Sequence, residues 1–76
     1  MNTELIIKAV NAVIEFNSQN TDDYKMTAQV DVSKFHVACR VWWNWDGSVF
    51  DDQYQTYAYA DKDLQQFIDK LQELSQ

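Results

Sequence analysis

Residues 24–50 read YKMTAQVDVSKFHVACRVWWNWDGSVF, and the spacing of the apolar residues in this stretch sets the architecture. Tyr24, Met26, Ala28, Val30 and Val32 alternate with Lys25, Thr27, Gln29 and Asp31. Phe35, Val37, Cys39, Val41 and Trp43 then alternate with His36, Ala38, Arg40, Trp42 and Asn44. Successive side chains of a strand point to opposite faces, so a period of two marks two half-buried strands. Asp46-Gly47 is a strong hairpin signal, because both residues tolerate the positive φ that a tight turn requires. A third strand is expected within Ser48 to Tyr59, with a bulge or longer loop where Asp51-Asp52 interrupts its apolar pattern.

On either side of this stretch the period changes to that of a helix. From Leu5 to Phe16 the apolar residues leave a polar stripe at Glu4, Lys8, Asn11 and Glu15, a spacing of four, three and four. Asn2 or Thr3 can cap this helix, which is predicted to run from about residue 3 to 17. At the other end Leu64, Phe67, Ile68, Leu71 and Leu74 recur at helical spacing, with Asp61 as the expected N-cap and Asp63 in the first turn. The order is α-β-β-β-α. Each strand buries one face, so the expected fold is an α+β domain: a three-stranded antiparallel meander with both helices on one face and the other face in water. The apolar arc of the first helix is wider than a sheet alone would cover, and the second helix is the expected cover for the remainder, with a dimer interface as the alternative. One Gly, no Pro and no repeat leave nothing to divide residues 1–76 into more than one domain.

Cross-strand pairing supplies a register. A tight Ser33-Lys34 turn sets Val32 opposite Phe35, Val30 opposite Val37, Ala28 opposite Cys39 and Met26 opposite Val41, with Asp31 facing His36 and Lys25 facing Trp42 on the other side. A two-residue Asp46-Gly47 loop sets Trp43 opposite Phe50, Cys39 opposite Tyr54 and Val37 opposite Thr56, but it also forces Asp52 against Val41 in the core. An unpaired buried carboxylate is costly, so the chain is expected to bulge near Asp51-Asp52 and expel both acids. In this register Trp42, Tyr57 and Tyr59 lie on the solvent face.

Twelve acids against six Lys and Arg give a formal charge of −6 in 76 residues. Affinity for phosphates comes from Lys and Arg releasing counterions, so direct nucleic-acid binding is disfavoured, and the acidic field suits a basic protein partner. The lone Cys39 fits a reducing compartment, with cytoplasm as the expectation. The N-terminus has no basic region ahead of an apolar run, and no stretch is apolar enough to span a membrane.

Catalytic and metal motifs fail on spacing. His36 is the only histidine, and it sits three residues from Cys39, so the two side chains point to opposite faces of a strand and form neither a dyad nor a shared metal site. An EF-hand centred on Gly47 would need an acid at its first position and Glu at its last, where Trp42 and Gln53 stand. One Gly cannot build a phosphate loop. The expectation is a protein without catalytic residues, metal or cofactor.

The acidic, Asn/Gln/Asp-rich chain of αβββα order resembles the small proteins that phages use against host defence, including anti-CRISPR proteins and acidic nucleic-acid mimics. What the resemblance implies is an inhibitor that occupies a basic channel on a nucleic-acid-binding nuclease. Asp22, Asp23, Asp46, Asp51 and Asp52 would stand in for phosphates, and Trp42, Trp45, Tyr57 and Tyr59 would anchor the contact. The alternatives are a homodimeric structural or assembly protein that uses the wide apolar face of the first helix, and an enzyme fragment or accessory subunit.

Overall fold

The computed structural model describes residues 1–19, 26–45 and 49–75, with backbone alone described at 44, 45 and 49–53. Helix α1 spans Thr3–Gln19, strands β1, β2 and β3 span Met26–Val32, Val37–Trp45 and Val49–Ala58, and helix α2 spans Asp61–Leu74. The three strands form one antiparallel sheet in the order β1-β2-β3. The meander of the α+β reading is therefore present, and Tyr24 and Lys25 of the expected first strand lie outside the described residues.

One face of the sheet carries the core. Met26 and Ala28 from β1, Val37, Cys39 and Val41 from β2, and Ala58 from β3 pack with Ala9, Val13 and Phe16 of α1 and Leu64, Phe67, Ile68 and Leu71 of α2. Both helices thus share the same side, as the alternation requires. Phe67 lies at the centre with no exposed surface, its ring stacked on that of Tyr54 at 6.0 Å between centroids.

The helices run side by side in the same direction. At one end Asn2 caps α1, its Oδ1 accepting from the Glu4 N–H at 2.8 Å, while its own N–H donates to Asp61 Oδ1 at 2.8 Å. At the other end Ala12 and Phe16 line one groove with Leu71 and Ser75. Asp61 is therefore not the N-cap of its own helix. Ala60 holds that position without a side-chain cap, and the Asp61 carboxylate instead ties the start of α1 to the start of α2. As a negative group in the first turn it still complements the positive end of the α2 dipole. Helix α2 covers α1 only in part, because Ile7 and Ile14 remain 55 and 62% exposed.

Helix α1 also touches the outer edge of β1 through Asn17. Its carboxamide Nδ2 donates to the Ala28 carbonyl at 2.9 Å, and its Oδ1 accepts from the Ala28 N–H at 2.8 Å. Both backbone groups of Ala28 therefore point away from β2, and an amide side chain satisfies the pair that a neighbouring strand would otherwise take.

Both hairpins differ from the expected register; the first difference preserves the faces, whereas before the bulge of the second Phe50 pairs with Asn44 instead of Trp43 and Asp51 stands opposite Trp43. Val32 pairs with Val37 instead of Phe35, so Ser33 to His36 form a four-residue connection. The Ser33 N–H and hydroxyl both donate to the His36 carbonyl at 2.9 Å, a closure that a Ser33-Lys34 two-residue turn could not make. Every β1 residue slides by two along β2, which leaves Met26, Ala28 and Val30 on the helix side. Asp31 now faces Ala38 instead of His36, and Phe35 leaves the strand to stand 76% exposed, with Lys34 Nζ 5.4 Å from its ring.

In the second hairpin Trp45 pairs with Val49, and the ladder shifts once more between Val41 and Trp42, where Gln53 has no opposite residue. That is the bulge expected beside Asp51-Asp52. It sets Val41 against Tyr54 and Asp52 against Trp42, in place of the Asp52 and Val41 pairing that the simple register imposed. The combined displacement is two residues, so Tyr54, Thr56 and Ala58 keep the helix side, paired with Val41, Cys39 and Val37. The turn at Asp46-Gly47 lies outside the described residues, as do the directions of the Asp51 and Asp52 side chains.

Candidate protein-binding face

The uncovered face of the sheet is built of three cross-strand rows. Asp31, Ala38 and Tyr57 form the first, Gln29, Arg40 and Gln55 the second, and Thr27 with Trp42 the third. They reach this side by alternation alone, since their neighbours along each strand fill the core. Helices cover the opposite side, so these residues meet solvent or a partner.

Aromatic side chains gather at the end of this face where the β1–β2 connection meets the end of β3. The His36 ring sits edge-on to Tyr57 at 5.4 Å and 81°, and tilted against Tyr59 at 5.6 Å and 42°. Ser33 fixes that ring. Its hydroxyl has one proton, which goes to the His36 carbonyl, so its oxygen accepts at 3.1 Å when the ring carries a proton on Nδ1. Tyr57 and Tyr59 are nevertheless 54 and 66% exposed, and a groove of about 140 Å³ lined by Ile6, Lys34, Phe35 and Tyr59 lies beside them toward α1. Further along β2 the Arg40 guanidinium lies over the Trp42 ring at 5.0 Å.

The expected contact residues divide clearly. Tyr57 and Tyr59 share one exposed cluster, and Trp42 lies on the same face, half-buried beneath Arg40. Trp45, Asp51 and Asp52 are placed by backbone register only, and Asp22, Asp23 and Asp46 lie outside the described residues. His36 lies beside Tyr57 and Tyr59 as the expected register placed it, whereas Phe35, expected on the core face, lines the groove next to Tyr59. The Ser33-Lys34-Phe35-His36 segment held the signal, because a serine at the start of a four-residue connection can close it through its hydroxyl onto the carbonyl three residues on.

Cys39 is 1% exposed on the core side, and burial pushes its thiol up to about 11, so it is a neutral core group at ordinary pH. Tyr54, half-buried on the same side, is also raised, by burial first and then by Cys39 and Asp63. Among the described residues no group of three His, Cys, Asp or Glu side chains could hold a metal ion, and no helix is long and apolar enough to cross a membrane.

The raised thiol gives a pH prediction. The folded state keeps the Cys39 proton from pH 9 to about 11 while the unfolded chain loses it, so stability is full below 9 and falls as pH rises through that window. At about 1.4 kcal/mol per pH unit the loss is on the order of 2 to 3 kcal/mol. Urea unfolding at pH 8 and pH 10.5 should show it, and Cys39→Ala should flatten most of the slope; an equal slope in the variant would place the effect elsewhere.

Searches against protein-family models, curated proteins and solved structures find no match.

Proposed function

We propose that this chain is a non-enzymatic protein-binding module, an inhibitor that acts through the uncovered face of its sheet. The observation that carries the reading is the exposed cluster of Tyr57 and Tyr59 around His36, beside Phe35, on a protein of net charge −6. Large apolar patches on a small domain mark interaction sites, and Tyr and Trp are over-represented among residues that dominate binding energy. The acid excess favours a basic partner and accelerates encounter with it. The partner class that fits is a nucleic-acid-binding defence enzyme whose basic channel the acidic, aromatic face would occupy, as an anti-CRISPR protein does, within a cytoplasmic setting.

The test is capture of partners from lysate on immobilised protein, followed by a nuclease assay with each captured enzyme. Wild type should inhibit the enzyme it captures, and changing Asp46, Asp51 and Asp52 together to Asn should weaken capture without lowering the melting temperature. Unchanged capture by the triple variant would remove the acidic contribution, and capture without inhibition would remove the inhibitor reading.

The exposed Ile7 and Ile14, with half-buried Val10 between them on α1, favour a second reading as a homodimer or assembly protein. Light scattering behind size exclusion decides it, since a monomer at high concentration excludes the dimer.

A further inference from the structure

We propose that the depression over Ala38 is a guanidinium-binding subsite, which takes an arginine side chain of the partner; this rests on the protein-binding reading above. Ala38 is the smallest side chain in the middle of the uncovered face, and its register neighbours are Asp31 on β1 and Tyr57 on β3. The short floor between two longer walls leaves a concavity of about 170 Å³, lined also by Gln29, Arg40 and Gln55. One wall is therefore a carboxylate and the other an aromatic ring, which is the combination a planar cation needs. A guanidinium can pair with the carboxylate through its N–H fork and lay its face on the ring.

Four further observations bear on the choice of occupant. Asp31 is exposed, and no described cation pairs with it. Arg40, the like charge in the lining, leans over Trp42, which lies on the side of Arg40 away from Ala38 along β2, so its charge is drawn from the Ala38 row. The net charge of −6 adds attraction for a cation over the whole molecule. The Gln29 and Gln55 carboxamides carry acceptor oxygens for the remaining N–H donors. A lysine ammonium lacks the planar face and the fork, so the subsite should prefer arginine.

The experiment titrates the ¹⁵N-labelled protein with N-acetyl-arginine amide and follows backbone amide shifts. Saturable shifts confined to Asp31, Ala38, Tyr57 and their immediate neighbours are expected, about three- to fivefold weaker with N-acetyl-lysine amide, with neutral N-acetyl-citrulline amide, or in an Asp31→Asn variant, in keeping with an exposed ion pair. Ala38→Leu fills the floor from the solvent side and should abolish them while leaving the melting temperature unchanged. Equal responses to lysine, citrulline or acetate, shifts spread over the acidic surface, or shifts that persist in Ala38→Leu would overturn the subsite. These outcomes leave the interface itself standing wherever partner capture survives Ala38→Leu. Loss of the interface is read separately, in the tyrosine variants.

Discussion

Replacing Tyr57 and Tyr59 together with Ala should abolish partner capture while the domain melts within a few degrees of wild type. The two rings are more than half exposed and their contacts are with each other's neighbour His36, so truncation removes little buried surface. Surface changes of this kind usually alter stability by no more than about 0.5 kcal/mol each. Binding is affected far more, because an aromatic at the centre of an interface loses about 2 kcal/mol or more on truncation, roughly a thirtyfold weakening for one ring. The two losses share a cluster and will not simply add. Surface plasmon resonance against the captured protein, with circular dichroism melts alongside, separates the two quantities. A double variant that binds as tightly as wild type would move the contact off this face.

Phe67→Ala should do the opposite and remove the fold. Phe67 has no exposed surface and joins α2 to β3 through its stack on Tyr54. Deleting a buried Phe costs about 3 to 5 kcal/mol from lost transfer energy and the cavity left behind. A 76-residue domain holds roughly 4 to 11 kcal/mol in all, at the small end of single-domain size. The variant should therefore melt tens of degrees lower or be unfolded at room temperature, with Phe67→Leu keeping the fold at a smaller loss. A Phe67→Ala protein that melts near the wild-type temperature would show that the core does not centre on this ring.

The sequence carried the architecture because period and face are properties of single elements. Alternation in 26–32 and 37–43, and helical spacing in 64–74, each identify a buried side without knowledge of any neighbour. Register is a property of pairs. Ser33 could end a short turn or, as it does, close a four-residue one on the His36 carbonyl, and only the second option gives both its donors one acceptor. The bulge was legible because Asp52 against Val41 violates a burial rule, yet its location at Gln53 depended on Ala58 and Tyr54 reaching their places under α2. Both shifts were even in total, so Tyr57 and Trp42 reached the expected face through an unexpected pairing. Asp61 was misread for a related reason: an N-cap pattern is local, whereas its partner Asn2 is 59 residues away.

Asn17 has a consequence for how this protein meets others of its kind. An antiparallel sheet with an unguarded margin invites addition of another molecule's backbone, the route by which small β-containing proteins form fibres. Here the chain has furnished its own fourth rung at Ala28, made from an amide that cannot be extended into a strand. An incoming segment would have to evict that amide before gaining its first central hydrogen bond. Strand addition along the β1 margin is thereby discouraged, which confines that route of self-association to the opposite margin of the sheet.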